Sequence, residues 1–291
     1  MSPRVSALIP SYNHARYVRA AVESALAQEG LGPDELEVVI VDDGSSDGSA
    51  ELLRELARDP RVRLEVRENQ GISPTFQRLL ELARGEFVAY CCSDDRWHPG
   101  HLAGALAAFE AEPDAAVCFG RARIVDEAGQ EHADSLFAPL RDPSRPLASL
   151  LRDGNSLCFV AAVIRREAAL AAGGFDFALR VLQDYDLWIK LTAAGGALFR
   201  EAPSVDFRWD GNNASGPAAS LRKRQDLIHV LSGALERLPL LEQDPELRAS
   251  VVARIRRSHL RVARRVGDRA AKRAHLRAAR ALGAPWWKTI V

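Results

Sequence analysis

Short apolar runs that alternate with amphipathic segments constrain the fold of this chain more than any other feature. Four runs that are typical of buried strands cover residues 5–10, 36–41, 62–66 and 87–92. Between these runs apolar residues recur at helical spacing, most clearly over 15–28 and 73–83. Strand and helix therefore alternate four times in about 115 residues, which predicts an α/β domain with a Rossmann-like, mostly parallel sheet flanked by helices.

Polar clusters follow each of the four predicted strands. They are Pro10-Ser11-Tyr12-Asn13, Asp42-Asp43, Glu68-Asn69-Gln70-Gly71 and Ser93-Asp94-Asp95. In parallel α/β sheets the carboxyl ends of the strands share one edge, and ligands bind beyond it. Four separate segments are thus predicted to direct polar groups at one site.

The pattern changes after residue 115. Strands are predicted at 116–124 and 157–165, separated by a polar loop over 126–146, and helices follow at 167–172 and 184–194. Beyond residue 217 the chain is rich in Arg, Ala and Leu and helical in character. We therefore divide the chain into residues 1–115, 116–217 and 218–291.

Asp94 and Asp95 are the first candidate metal site. Successive side chains on an extended chain point opposite ways, so one carboxylate can bind a metal while its neighbour accepts hydrogen bonds from ligand hydroxyls. Mg²⁺ and Mn²⁺ prefer one or two carboxylates, with phosphate oxygens and water completing the shell. The alternative is a capping or turn pair.

Three further residues are candidates on chemical grounds. Asp42 ends a predicted strand and can accept a hydrogen bond from a base or ribose, whereas Asp43 is interpreted as a turn residue. Tyr12 can cover the face of a base, with core packing as the alternative. Asp184 begins a predicted helix, where an aspartate is either a helix cap or a functional acid.

Taken together, five ordered segments resemble family 2 glycosyltransferases, an inverting family with the GT-A fold. The resemblance covers residues 5–215. The segments are Ile9-Pro10-Ser11-Tyr12-Asn13, Val41-Asp42-Asp43-Gly44-Ser45-Ser46-Asp47, Asn69-Gln70-Gly71-Ile72-Ser73, Ser93-Asp94-Asp95, and Gly173-Gly174-Phe175-Asp176 leading to Gln183-Asp184-Tyr185-Asp186-Leu187-Trp188. It implies that 1–115 binds the nucleotide-sugar, that 116–217 binds the acceptor, and that 218–291 is a helical extension.

The resemblance also implies roles for individual residues. Asp95 would bind Mn²⁺ or Mg²⁺ on the donor diphosphate, and Asp184 would be the catalytic base that deprotonates the acceptor hydroxyl. Asp42 would bind the base, usually uracil. The remaining donor-binding residues implied by the family motifs are Pro10, Ser11, Tyr12, Asn69, Gly71 and Asp94.

The sequence departs from the family pattern at three places. Gln183 stands where a Glu usually precedes the catalytic Asp. Phe76-Gln77 replaces a common Arg-Asn, with Arg78 as a substitute for contacting the donor phosphate. Asp210 replaces a His in the late loop, where it can serve as a metal ligand or solvate the loop.

The extension is strongly basic. Residues 218–291 hold 17 Lys and Arg against 6 Asp and Glu, although the whole chain has a net charge of zero. With Trp286-Trp287 near its end, this basic amphipathic segment is interpreted either as a peripheral contact with an anionic membrane or as a helical cap or dimer surface. Nothing else supports nucleic-acid binding.

No run of about 18 apolar residues and no secretory leader is found, so we expect a cytoplasmic protein, peripheral at most to the inner face of the membrane. The four cysteines lack metal-ligand spacing and are expected to be reduced thiols. The leading hypothesis is a metal-dependent transferase using a nucleoside-diphosphate sugar, UDP-sugar favoured, and a carbohydrate or lipid-linked acceptor in surface polysaccharide assembly. A nucleotidyltransferase and a non-catalytic nucleotide-sugar-binding protein are the alternatives.

Overall fold

The computed structural model describes residues 2–132, 137–209 and 220–285. The first part of the chain alternates strand and helix as the sequence predicts. Its elements are β1 (Val5–Ser11), α1 (Val18–Leu26), β2 (Leu36–Asp42), α2 (Ser49–Leu56), β3 (Val62–Val66), α3 (Ile72–Leu82) and β4 (Phe87–Tyr90). Strands β3, β2, β1 and β4 lie side by side in that order and all pair in parallel.

The second part extends this sheet with strands of mixed direction. Its elements are β5 (Arg96–Trp97), α4 (His101–Ala111), β6 (Val117–Val125), α5 (Pro146–Asp153), β7 (Ala162–Arg165), α6 (Arg166–Ala171), α7 (Gln183–Gly195) and β8 (Ala197–Arg208). The described residues thus form an eight-stranded sheet in the order β3-β2-β1-β4-β7-β6-β8-β5. Strand β7 pairs antiparallel with β4 and β6, whereas β8 pairs parallel with β6 and antiparallel with β5.

Strands β5 and β8 and helices α4 and α5 were not predicted. The β8 sequence contains Glu201 and Pro203, and much of the strand is only half-buried, so it lacks a clear apolar alternation. Residues 157–161 were predicted as strand, but Phe159–Ala161 form a 3₁₀ turn before β7. Helix α3 begins at Ile72, one residue before the predicted segment, and Ser73 Oγ donates to the carbonyl of Leu179 at 2.7 Å.

The sheet is buried on both faces, which explains the continuous apolar runs. Along β1, Leu8 packs into one core cluster while Ala7 and Ile9 pack into the other. Helices α1 and α4 cover the second cluster, and α3 and α7 cover the first, which contains the fully buried Trp188. The alternation along each strand therefore fixes which side chains pack against each layer of helices.

The C-terminal helices are packed onto the same core. They are α8 (Ser220–Arg237), α9 (Leu240–Gln243), α10 (Pro245–Arg265) and α11 (Arg269–Ala281). Leu231 of α8 and Val251 and Ile255 of α10 are buried in the cluster that contains Trp188. Among the described residues no helix is both long and apolar enough to cross a membrane.

Because the extension shares this core, we expect Leu231→Ala to destabilise the whole molecule. The side chain is fully buried, and truncating a buried leucine costs about 2–5 kcal/mol. Urea unfolding followed by circular dichroism and by tryptophan fluorescence should give one shifted transition for both signals. Leu260→Ala, at a half-buried position on α10, is the control and should shift it less. Two separate transitions would contradict a shared core.

Candidate active site

A cleft of about 580 Å³ lies at the carboxyl edge of the parallel strands. Its wall combines the loops after β1, β2, β3 and β4 with the segment that leads into α7. The residues predicted from the sequence that line it are Pro10, Ser11, Tyr12, Asn69, Gly71, Asp94, Asp95 and Asp184. The structure therefore brings together groups from both halves of the sheet.

Tyr12 stands at the mouth of the cleft. Its side chain is exposed, at 49% of its full surface, so it does not belong to the packed core. The adjacent Asn13 adopts a left-handed backbone conformation with φ of 54°. Its side-chain oxygen accepts from Ser46 N at 2.8 Å and its N–H donates to Ser45 Oγ at 2.8 Å. The β1 loop is thus fixed to the β2 loop, which leaves the Tyr12 ring available to a ligand.

The paired aspartates after β2 have different positions from those predicted. Asp42 is completely buried and accepts hydrogen bonds from Ser11 Oγ and from Ser45 N and Oγ. It is not part of the cleft lining, because it is the last residue of β2 and its side chain is enclosed by the turn. Asp43, interpreted from the sequence as a turn residue, lines the cleft instead.

Asp43 also holds the loop that follows β3. Its carboxylate accepts from Arg67 Nε at 3.0 Å and from the N–H groups of Gln70 and Gly71 at 3.1 and 2.8 Å. Gly44, with φ of 82°, lets the two loops approach, since a Cβ there would lie 3.0 Å from the backbone nitrogen of Asn69. Asn69 and Gly71 are presented to the cleft by this contact.

Arg78 does not reach the cleft wall. It lies on α3 and forms a two-pronged ion pair with Glu65 of β3, at 2.9 Å from Nε and 2.7 Å from Nη2. The Arg78 hydrogen bonds lower the pKa of Glu65 below its ordinary value. The prediction that Arg78 contacts the donor phosphate is therefore not supported by its position, since its guanidinium is already committed to the sheet.

The predicted metal site is at the end of β4. Ligand atoms of Cys92, Asp94 and Asp95 all lie within 4.8 Å of one another. Asp95 is buried at 4% exposure and accepts from the backbone N–H of Arg208 at 2.8 Å. Burial, together with the negative charge of Asp94, raises the pKa of Asp95 well above its ordinary value.

These groups fit a hard divalent cation. Two crowded carboxylates repel each other in a medium of low dielectric constant, and a bound cation relieves that repulsion. Carboxylate oxygens are the ligands that Mg²⁺ and Mn²⁺ prefer. The thiol of Cys92 is poorly suited, because burial raises its pKa well above the ordinary value. Asp210, the other predicted ligand, lies outside the described residues.

Asp184 faces the same cleft from the first turn of α7. Its two oxygens accept from Tyr185 N and from Asn155 Nδ2, each at 2.7 Å. Burial raises the pKa of Asp184 to about 6, although these hydrogen bonds and the charge of Lys223 act to lower it. The carboxylate is therefore held in place, and its pKa is near that of a group that exchanges protons around neutral pH.

Several cleft residues were missed by sequence reasoning. They are Asp43, His14, Cys92, Leu157, Phe159, Arg180 and Phe207. His14 Nδ1 lies 2.8 Å from Ser93 Oγ and 3.9 Å from an oxygen of Asp94. Asn155, which holds Asp184, was also missed, since it lies in a turn whose sequence carries no signal for a partner 29 positions away.

Comparison with known proteins identifies the class of enzyme that this cleft defines. Residues 6–171 match the family described as "Glycosyl transferase family 2". Because this match covers more than half of the chain, the protein belongs to glycosyltransferase family 2. The predicted family is therefore confirmed.

Solved structures confirm the predicted fold. Staphylococcus aureus TarS residues 1–349 in complex with UDP superposes with a TM-score of 0.67 at 16% identity, covering 94% of this chain and 78% of TarS. The mannosyltransferase PcManGT from Pyrobaculum calidifontis, in complex with GDP-Man and Mn²⁺, gives 0.61 at 23% identity over 98% of this chain and 77% of its own. At these identities the likeness shows the fold alone, which is the GT-A fold.

Among sequence relatives, Escherichia coli chondroitin synthase is 29% identical over 239 residues. The match covers 81% of this chain but 33% of chondroitin synthase. A Mycobacterium tuberculosis protein is 31% identical over 68% of this chain and 64% of its own length. The chain therefore spans between about a third and two thirds of the length of the relatives it matches.

If Asp95 and Asp94 hold the cation, Asp95→Ala should weaken binding of Mn²⁺ alone by tenfold or more, about 1.4 kcal/mol. The reason is that one of two carboxylate ligands is lost from a shell that offers few others. Isothermal titration calorimetry with MnCl₂ measures this directly. Glu65→Gln, which removes a carboxylate on β3 outside the cleft lining, should leave Mn²⁺ affinity unchanged. Equal Mn²⁺ affinities in the wild type and in Asp95→Ala would show that the cation binds at another site.

Proposed function

We propose that this glycosyltransferase is an inverting, metal-dependent enzyme that moves a sugar from a nucleoside-diphosphate sugar, UDP-sugar favoured, to a hydroxyl acceptor. The observation that carries the proposal is the pairing of two kinds of carboxylate in one cleft. Asp95, crowded by Asp94, suits a cation, and Asp184, on another wall, has the pKa of a general base. A single displacement between two such groups inverts the anomeric carbon.

The nucleotide is proposed to bind beside the β1 and β2 loops. Tyr12 offers an exposed ring that can stack on a base, and Asp43 offers a carboxylate to the same region. Structural neighbours support this class of donor, since TarS has been crystallised with UDP and with UDP-GlcNAc, and PcManGT with GDP-Man and Mn²⁺. Asp42 is enclosed by its turn, so Asp43 is the aspartate of the pair that lines this region of the cleft.

The metal is proposed to be Mn²⁺ or Mg²⁺, held by Asp95 with Asp94 beside it. A divalent cation bound there supplies Lewis-acid stabilisation to the leaving diphosphate. The backbone N–H of Arg208 fixes one oxygen of Asp95. This contact orients the carboxylate before the donor arrives, which reduces the cost of ordering it on binding.

Asp184 is proposed to accept the proton of the attacking hydroxyl. The new bond joins the acceptor oxygen to the anomeric carbon as the bond from that carbon to the diphosphate breaks, and the proton passes to the Asp184 carboxylate. Asn155 and the Tyr185 N–H hold the carboxylate in one orientation. A positioned base of this kind contributes about a hundredfold or more in rate.

The acceptor is proposed to be a carbohydrate or lipid-linked saccharide of surface polysaccharide or glycoconjugate assembly. Chondroitin synthase is a polysaccharide-forming relative by name, and its similarity extends over 81% of this chain. The cleft also has an apolar wall formed by Phe137, Phe159 and Phe207. Aromatic and apolar surfaces of this kind pack against the faces of sugar rings.

Hydrolysis of the donor, with water in place of the acceptor, tests the base. In a panel of UDP-glucose, UDP-GlcNAc and GDP-mannose with Mn²⁺, we expect at least one UDP-sugar to be hydrolysed, and Asp184→Asn to lower that rate by about a hundredfold or more. The wild-type rate should fall as the pH drops through about 6, because the base acts only when deprotonated. Release of nucleoside diphosphate, measured from pH 5 to 8, gives both results.

Several outcomes would contradict the proposal. Full hydrolysis in Asp184→Asn would remove that residue as the base. If UDP, GDP and dTDP all fail to bind, both with and without Mn²⁺, a nucleotide-sugar donor would be excluded. Tight binding of a nucleotide without hydrolysis of any sugar nucleotide in the panel would favour a non-catalytic nucleotide-sugar-binding protein. Arg78→Ala serves as the control, since its ion pair with Glu65 places it outside the cleft lining, and it should hydrolyse the donor normally.

We also propose that the extension contacts an anionic membrane surface through arginines at the seam of α8 and α10. Arg265 Nη1 donates to Ser220 Oγ at 2.8 Å, so the end of α10 meets the start of α8. The two helices run antiparallel, and this places Arg261 beside Arg224. Within the described ranges none of Arg224, Arg261 and Arg265 forms an ion pair with an acid. Burial and the neighbouring charges of Arg261 and Arg265 lower the pKa of Arg224.

Substituting the seam arginines should weaken vesicle binding selectively. We expect Arg224→Gln/Arg261→Gln/Arg265→Gln to lose most binding to vesicles of phosphatidylglycerol and phosphatidylcholine, since each basic residue near such a surface contributes about 1 kcal/mol. The matched control, Arg269→Gln/Arg273→Gln/Arg277→Gln, removes the same charge from the exposed face of α11. If both triple variants lose vesicle binding equally in a sedimentation assay, or if the wild type does not bind, the proposed role of the seam arginines would be refuted. A change in sedimentation coefficient instead would indicate the dimer surface.

A further inference from the structure

A buried carboxylate of the extension contacts the backbone next to the proposed base. Asp226 of α8 is 3% exposed. One of its oxygens accepts hydrogen bonds from three consecutive N–H groups, those of Arg180, Val181 and Leu182, at 3.0, 2.8 and 3.3 Å. Its other oxygen lies 3.4 Å from Arg222 Nε. A carboxylate with three backbone donors on one oxygen and an arginine near the other is thus buried between α8 and the segment that precedes α7.

The three N–H groups immediately precede the helix that carries Asp184. Helix α7 begins at Gln183, and Leu182, which precedes it, provides no side-chain cap. Asp226 supplies from a separate helix the negative charge that an N-terminal cap normally supplies locally. Because a helix terminus favours an anion, this contact holds the start of α7 as well as the loop before it.

The segment that Asp226 holds also forms part of the wall of the cleft. Arg180, Val181, Gln183 and Asp184 all line the cleft. The conformation of residues 180–182 therefore sets where the first turn of α7, and the Asp184 carboxylate on it, face the ligand. The contact joins a wall of the cleft to a helix that lies beyond the family-matched residues 6–171.

A second contact supports the same coupling. Asp186, in the first turn of α7, accepts a hydrogen bond from Arg237 Nη2 of α8 at 3.1 Å, and it forms an ion pair within α7 with Lys190 Nζ at 2.6 Å. Lys223, three positions before Asp226 on α8, acts to lower the pKa of Asp184. Helix α8 therefore contacts the segment before α7 through Asp226, and the first turn of α7 through its last residue, Arg237.

We propose that Asp226 is a positioning residue for catalysis: by accepting the three N–H groups of Arg180, Val181 and Leu182, it fixes the segment that carries the base, so that helix α8 forms part of the acceptor side of the active site. The inference rests on the proposed function of Asp184. It assigns the first helix of the extension a role in the reaction as well as in packing.

The test compares Asp226→Ala and Asp226→Asn with Asp244→Ala, using hydrolysis of the best UDP-sugar of the panel with Mn²⁺. Asp244 is the matched control, since it caps α10 by accepting from Leu247 N at 2.9 Å, on the same extension but away from α7. Asn at 226 is isosteric and retains one acceptor oxygen, so it should fold even if Ala does not. UDP binding by calorimetry and thermal melting are measured for each variant.

We expect kcat to fall about tenfold in Asp226→Ala and less in Asp226→Asn, with UDP affinity unchanged within twofold. In the dependence of kcat on pH, the acid limb should also lie at lower pH than in the wild type. Loosening the segment exposes Asp184 to water and so reduces the effect of burial that raises its pKa, and the pKa of Asp184 falls toward its ordinary value. Asp244→Ala should lower the melting temperature but leave kcat and the acid limb unchanged.

The proposal fails if the Asp226 variants lose only thermal stability, as Asp244→Ala does, while kcat and the acid limb stay at wild-type values. A loss of UDP affinity equal to the loss of kcat would also overturn it, because that result indicates general damage to the cleft. Asp184→Asn, assayed in parallel, separates this failure from failure of the proposed function. If Asp184→Asn keeps its rate, the base assignment is wrong; if it is inactive and Asp226→Ala is normal, the positioning role alone is wrong.

Discussion

The parallel pairing of β3, β2, β1 and β4 is the constraint on which the rest of the molecule depends. Parallel strands deliver all of their carboxyl ends to one edge, so four loops separated in sequence must meet there. Hydrogen bonds then join them: Asn13 to the β2 loop, and Asp43 to the loop after β3. Polar residues that would otherwise be solvated turns become a single wall. The acidic end of β4 and the first turn of α7 complete that wall from the two halves of the sheet.

Crowded carboxylates are destabilising unless the molecule or a ligand compensates them, and the cleft contains two different solutions. Asp184 receives two hydrogen bonds and the nearby charge of Lys223, so its pKa stays at about 6 despite burial. Asp95 receives one backbone N–H and faces Asp94, and its pKa is raised well above the ordinary range. The first environment suits a residue that exchanges a proton, and the second suits one that awaits a cation. Local hydrogen bonding therefore assigns different chemistry to side chains of the same type.

The sequence was sufficient to predict the elements from β1 to β4 because these strands are buried on both faces and their turns carry strong local signals. It failed where a long-range partner decides the outcome. Asp42 and Asp43 are adjacent and chemically identical, and only the packing of the turn determines that Asp43 lines the cleft. Arg78 has the right chemistry for a phosphate but is held by Glu65 across the sheet. Strand β8 has little apolar alternation because it is half-buried, and its pairing with β6 becomes apparent only in three dimensions.

The hydrogen bonds between Asp226 and the N–H groups of residues 180–182 affect the order in which the protein folds during synthesis. A ribosome synthesises strands β1 to β4 first, and domains generally fold in the order of synthesis. The segment that carries Asp184 then lacks its carboxylate partner until another 44 residues, from 182 to 226, have been added. Even at that stage α8 lacks the part of its core that α10 contributes. The nascent chain can thus order the loops after β1 to β4 well before it orders the segment that carries Asp184, because the partners of that segment on α8 and α10 are synthesised later.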